Sequence, residues 1–343
     1  MKQGFKLFSH FLFLILMALC LLLNQLVIYG LTQAKGQFEI IINAQVIDDI
    51  INSAGTSDSV KQKLIFISEV KKFAEDSIGI YSSKNYTSFY NQDGQQKLIT
   101  LSACEPYSFK AKEWWFPFLG YVSYKGFFNE KKAKQELLQL KANDYDIDVY
   151  TPSGWSTLGW FNDPVLSGML KRNEGQLANL IIHELTHGTI YIKNDVTFNE
   201  NLANFIGHKG ALQFLQNKYG LESEEYKRYI NERSDEELYN SYILESKERL
   251  DSLYKTFAST NDDVYKKNKK KALLFEIVMN VLQLKLTNKT GYFNYSKQIF
   301  KEGNAFFMAF DRYDSQYSLF EKEYKKNCNA DLKKFLKSYI ERE

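Results

Sequence analysis

The chain has 343 residues, with 44 Lys and Arg against 41 Asp and Glu, for a formal net charge of +3 at pH 7. That balance, with no basic stripe, gives no footing for a nucleic-acid partner held through its phosphates. Only three cysteines are present, so no cysteine cluster competes as a metal site, although Cys104 and Cys328 could pair in an oxidising compartment.

From the N-terminus, Lys2 and Lys6 precede an apolar stretch from Phe11 to Ile28, interrupted by Asn24 and Gln25. That length suits a membrane-spanning helix. Basic residues before it predict a cytoplasmic N-terminus and an exported body. A cleaved signal peptide ending near Thr32-Gln33-Ala34 is the alternative. Cys20 follows Leu19 rather than a small residue, which argues against lipid attachment. Residues 1–34 are therefore read as a cytoplasmic N-terminus and membrane anchor, and 35–343 as an exported domain. Gln37 to Ser53 and Asp58 to Ile78 read as helices, the second with Val60, Leu64, Ile67 and Ala74 along one stripe. Asn85 to Gln96 is rich in turn residues. Leu98 to Cys104, Trp115 to Tyr124 and Asp146 to Tyr150 read as strands, with an amphipathic helix over Asn129 to Lys141 between them.

From Glu174 helices dominate. One carries the motif described next, and a second runs from Asn199 to Gln216. A long charged pair follows around Glu222 to Phe257, then helices from Lys267 to Leu286, Gln298 to Phe310 and Tyr317 to Ile340. The lysine run Lys266 to Lys271 reads as a solvated helix start. The expected fold class is α+β: an N-terminal transmembrane helix, then a mixed β-sheet in the first half packed on a helical second half that carries the helices of the motif described next.

His183-Glu184-Leu185-Thr186-His187 stands in a chain with only four histidines. Histidines at i and i+4 lie on one helix face, one turn apart, so both imidazoles can reach one Zn²⁺. Glu184 borders the open side of such a metal, where it can take a proton from water. A catalytic zinc site needs a third protein ligand. Glu200 is the candidate, because the turn signal Lys193-Asn194-Asp195 would bring a second helix back toward the histidines. Two alternatives stay open. Thr197-Phe198-Asn199-Glu200 also fits a capping box, in which Glu200 serves its own helix start, and His208 is a reserve ligand. Asn204, one turn after Glu200, could hydrogen-bond a ligating histidine.

These motifs, with Ser156 to Pro164, Asp195 to Glu200, Trp114-Trp115-Phe116-Pro117, Tyr124 to Phe128, Asp148-Val149-Tyr150 and Asn304-Ala305, resemble the bacterial family of predicted zinc aminopeptidases. The resemblance runs from about Tyr29 to the C-terminus. It implies a metallopeptidase of the H-E-x-x-H class with a glutamate third ligand, gluzincin-like, in which His183, His187 and Glu200 hold zinc and Glu184 is the general base. Three departures stand out. Trp115 and Tyr121 occupy places where family members often carry Cys, a lipid-modified N-terminal Cys is missing, and Asn204 stands where better known gluzincins often have Asp. In that setting Tyr313 is the candidate oxyanion donor, Ser156 to Phe161 a candidate substrate wall, and Glu105 and Asp163 candidate receptors for a substrate's α-ammonium. The functional expectation is a zinc peptidase acting on peptide or protein substrates. It would sit in the bacterial cell membrane through a single pass, with its catalytic domain on the periplasmic side. An endopeptidase of exported proteins is the alternative, and a non-catalytic zinc-stabilised binding module the third.

Overall fold

A computed structural model describes residues 10, 26–94, 98–116, 120–151, 162–193, 195–310 and 316–342. The fold is α+β, as the sequence implies, but the expected transmembrane helix is not part of it. No helix among the described residues is long and apolar enough to cross a membrane, and most of the stretch Phe11 to Ile28 lies outside those residues. The first described helix, α1 (26–43), runs out of that stretch into Lys35 and Glu39, and it docks on protein. The Tyr29 ring stacks on Phe116 at 5.5 Å, and its hydroxyl donates to the Gly126 carbonyl at 2.7 Å.

Among the described residues three small sheets replace the single mixed sheet of the sequence reading. In the first, β1 (Gln45–Val46) pairs antiparallel with β2 (Ser88–Tyr90), which pairs parallel with β8 (Val165–Leu166). Strand β1 interrupts the helix expected over Gln37 to Ser53, whose second half survives as α2 (Ile47–Asn52). The second sheet is antiparallel, ordered β6 (Tyr124–Phe127), β3 (Ile99–Cys104), β7 (Asp146–Tyr150). The third is a hairpin of β4 (Trp114–Phe116) and β5 (Gly120–Val122). The aromatic run Trp115 to Tyr124 is thus not one strand. Gly120 at φ +74° takes the left-handed backbone that lets the chain reverse.

Helix α3 (Asp58–Phe73) buries Leu64, Ile67 and Val70, and a π-helical turn over Ala74–Ile78 continues the stripe. Helix α4 (Glu130–Ala142) starts at Asn129, whose side chain accepts from the Lys132 N–H, and lays Ala133 and Leu140 against Leu101 and Ile147 of the second sheet. The main core joins α3, the first sheet, α5 (Glu174–His187), α6 (Val196–Tyr219), α12 (Tyr317–Cys328) and α13 (Leu332–Ile340). A second core joins α7 (Glu224–Thr256), α8 (Asp263–Asn280), α9 (Lys289–Ser296), α10 (Ile299–Glu302) and α11 (Asn304–Met308).

Helix boundaries differ from the sequence reading for local reasons. The expected pair over Glu222 to Phe257 is one helix of 33 residues, because α7 contains neither Gly nor Pro to break it. The helix expected over Gln298 to Phe310 breaks at Gly303, at φ +54°, where a Cβ would stand 2.3 Å from the Asp146 carboxyl group. That break lets the Asn304 N–H donate to Asp146 at 2.7 Å, while its side-chain amide donates to the carbonyls of Glu105 (2.9 Å) and Ser108 (3.2 Å). Tyr254 donates to Asn304 Oδ1 at 2.6 Å, and Lys270 pairs with Asp146 and donates to the Pro106 carbonyl. This buried polar knot ties the second core to the second sheet. The last expected helix breaks where Asn329 and Ala330 both take positive φ, after which Asp331 caps α13 through the Lys334 N–H. Cys104 and Cys328 are both buried and both free, so the pairing considered from sequence is not made.

Candidate metal centre

Helix α5 begins at Asn173, whose side chain accepts from the Gln176 N–H at 3.0 Å. Its apolar residues Leu177, Ile181, Ile182 and Leu185 are buried, which fixes the roll of the helix, and His183 and His187 face Glu200 of α6. Helix α6 approaches α5 very closely because Ala203, Gly207, Gly210 and Ala211 offer little bulk. A Cβ on Gly207 would stand 2.4 Å from Asn179 Oδ1, 2.9 Å from the Asn179 carbonyl oxygen and 3.1 Å from His183 Cβ.

The reversal between the two helices is locked from both sides. The Ile192 N–H donates to Asn199 Oδ1 at 2.8 Å, and Asn199 Nδ2 donates to the Ile192 carbonyl at 2.7 Å. Asp195 is the N-cap of α6, accepting from the Phe198 N–H at 2.9 Å. The helix therefore starts before Thr197, so Glu200 is past the first turn and the capping-box alternative falls.

The turn brings the Glu200 carboxylate over the two histidines. His183 Nε2 lies 3.5 Å from Glu200 Oε2, His187 Nε2 lies 3.6 Å from Glu200 Oε1, and the two Nε2 atoms are 3.2 Å apart. These residues form the one group of three or more candidate ligands among the described residues. Ligands held at about 2.0–2.1 Å in a tetrahedron lie roughly 3.3–3.4 Å from one another. The three spacings suit an ion of that kind, and two imidazole nitrogens that face each other with a carboxylate beside both are a donor set for a cation. His187 Nδ1 is buried without a hydrogen-bond partner.

The electrostatics of the two histidines differ. Burial, with the neighbouring His183 adding to it, lowers His187 to about 4, so at neutral pH it is the uncharged imidazole that ligates metals. Burial opposes the cation on His183, but its hydrogen bond to Glu200 and the charges of Glu184 and Glu200 outweigh burial and raise it. Burial lifts Glu184 to about 7; Glu200 and Asp163 push the same way, while His183 and Arg172 oppose. A carboxyl group poised near neutrality suits a base that must take and then return a proton.

The other sequence candidates are placed as follows. His208 is not beside the cluster's donor atoms; its Nδ1 lies 3.2 Å from the Tyr229 hydroxyl, and burial takes it down to about 3. Asn204 sits half-buried on α6, one turn beyond Glu200. Glu105 is held in the turn after β3 by Ser108 at 2.7 Å and Lys110 at 3.7 Å. Asp163 is 1% exposed, with its N–H on Asn85 Oδ1 at 3.0 Å and its carbonyl accepting from Tyr86 at 2.7 Å. It is buried rather than open to a substrate, and its charge reaches Glu184. Tyr313 and Ser156 to Phe161 fall outside the described residues.

Sequence reasoning missed Tyr86, Arg172 and Tyr191. Tyr86 is fully buried and its hydroxyl feels the Glu184 and Asp163 charges, and Arg172 feels Glu184. No sequence signal points to those two. Tyr191 did carry one: it stands four residues after His187, repeating the spacing of the histidine pair. Its ring meets the His187 imidazole at 6.5 Å between centroids.

The family model described as "Putative aminopeptidase" matches residues 28–341. No curated protein matches the chain, and no solved structure does.

Proposed function

The chain belongs to the family described as "Putative aminopeptidase", and from that premise we propose that it is a zinc-dependent peptidase that removes residues from the N-termini of peptides. The observation that carries this reading is the convergence of one ligand atom each from His183, His187 and Glu200 within 4.8 Å of one another, with Glu184 next in sequence to the first. His183, His187 and Glu200 would hold the zinc ion, which when bound polarises a peptide carbonyl and makes a water molecule more acidic. Glu184 takes the proton from the attacking water and hands it to the leaving amine as the carbon–nitrogen bond breaks. The buried surroundings that lift Glu184 to about 7 serve both halves of that transfer.

Asp163 supports a second reading. An aminopeptidase needs a carboxylate open to the substrate's α-ammonium, whereas Asp163 is buried. That favours cleavage inside a chain. The retained base Glu184 argues against a module that holds zinc without turnover.

The test is mass spectrometry of a mixed peptide pool incubated with the full chain, beside Glu184→Gln. Stepwise loss from free N-termini, abolished by the substitution and by N-acetylation, is the expected result. Internal cuts indifferent to N-acetylation would establish the endopeptidase. Cleavage undiminished in Glu184→Gln would remove the peptidase mechanism altogether.

A further inference from the structure

We propose that the Tyr191 hydroxyl donates a hydrogen bond to the oxygen of the scissile carbonyl as negative charge develops on it. This rests on the peptidase reading above. Helical hydrogen bonding continues past the end of α5, since the Ile190 N–H donates to the Thr186 carbonyl at 2.9 Å. The chain has left the helix by Tyr191, which follows that last bond and lies beside the His187 ring. The Tyr191 ring stands edge-on to the His187 imidazole, at 70° and 6.5 Å between centroids.

Tyr191 is also fixed in place. It sits between the end of α5 and Ile192, whose N–H and carbonyl are both held by the Asn199 side chain. A hydroxyl on a segment anchored at both ends can be aimed before substrate arrives, which is what makes such a donor effective. Half-burial leaves part of the residue reachable. Its neighbour in charge is Glu200, whereas Glu184 is surrounded by His183, Glu200, Asp163 and Arg172. Tyr191 and Glu184 thus both feel the charge of the ligand Glu200.

In the step itself the water oxygen bonds to the carbonyl carbon and the water's proton passes to Glu184. The carbonyl π electrons move onto the oxygen, which accepts from Tyr191. When the carbon–nitrogen bond breaks, the amine nitrogen takes the proton back from Glu184. Tyr191 keeps its proton throughout, so peptide and water become acid and amine with no further reactant.

The experiment compares full-length wild type, Tyr191→Phe and Glu184→Gln. Zinc affinity is measured by competition with a chromophoric chelator. Affinity for acetohydroxamic acid, a small zinc-binding probe with a carbonyl oxygen, is measured by calorimetry on the zinc-loaded proteins. Turnover is measured on whatever peptides the wild type cleaves. Expected for Tyr191→Phe are unchanged zinc affinity, acetohydroxamate binding weaker by about tenfold, and kcat lower by about 100-fold or more with KM little changed. Wild-type kcat with wild-type acetohydroxamate affinity would overturn the proposal, and so would loss of zinc affinity, which would make the residue structural. Should the wild type bind zinc but cleave nothing, the peptidase reading fails on its own. The acetohydroxamate comparison still decides Tyr191: weaker binding to the Phe variant upholds the donor, and equal binding removes it.

Discussion

Gly207→Ala tests whether the close approach of α5 and α6 sets the metal geometry. The new Cβ would meet the Asn179 carbonyl oxygen at 2.9 Å and Asn179 Oδ1 at 2.4 Å. The Asn179 side chain can swing aside, but the carbonyl belongs to the helix backbone. Relieving that contact to an ordinary separation of about 3.4 Å requires α6 to withdraw by roughly 0.5 Å. Metal ligands tolerate displacements of only about 0.2 Å. Glu200 rides on α6 and the histidines on α5, so withdrawal separates the ligands directly. Zinc affinity should fall by about 10- to 100-fold, the usual cost of misplacing a ligand through its support. Stability should change far less. Overpacking costs about 1–3 kcal/mol, and replacing a mid-helix glycine by alanine returns about 1 kcal/mol. The net is about 0–2 kcal/mol, a fall in Tm of a few degrees. Chelator competition reads the first quantity and a thermal melt the second. Gly30→Ala, which meets nothing within 4 Å, is the control and should alter zinc affinity not at all. Wild-type zinc affinity in Gly207→Ala would refute the argument that helix spacing positions the ligands.

Two predictions concern the second core. Asn304→Ala leaves the Tyr254 hydroxyl and the carbonyls of Glu105 and Ser108 without the buried amide that satisfies them. Urea unfolding should show a loss of about 3 kcal/mol; a loss under about 1 kcal/mol would mean that other groups step in. Glu302 is buried, and burial with the Asp148 charge raises its carboxyl from 4.5 to about 7, Lys301 opposing. Such a group stabilises the fold while protonated and loses that contribution as pH rises through its folded value. The wild type should therefore lose stability relative to Glu302→Gln as pH climbs from 4.5 to beyond about 7. A gap that stays constant over that range would refute the buried-carboxyl reading.

What could be read from sequence was what depends on short spacing. The histidine pair on one face follows from i, i+4 periodicity, and the strand Asp146–Tyr150 and the helix after Asn129 follow from composition and capping. The breaks at Gly303 and at Asn329-Ala330 were not legible, because the first is set by the Asp146 carboxyl lying against the chain and the second by packing of α13 on α6 through Phe335 and Phe205. The role of Glu200 hung on which residue caps α6. Thr197 and Asp195 are both good caps, and only the structure chooses Asp195. The burial of Asp163 and Tyr86 around Glu184 comes from segments far apart in the chain, which local patterns cannot report. Of the apolar stretch Phe11 to Ile28 only the end lies within the described residues, and the helix there continues to Tyr29, whose hydroxyl donates to the Gly126 carbonyl.

All three candidate ligands come from two consecutive helices joined by one short, clamped reversal. Few residues must be ordered to bring them together, so the entropy of closing the loop is small. An ion bound there would strengthen one helical hairpin before it strengthened the chain as a whole. The α5–α6 pair would then behave as a cooperative unit with its own opening equilibrium. Zinc would be a local clasp on that unit, and the second core, held by its own polar knot, would not depend on it.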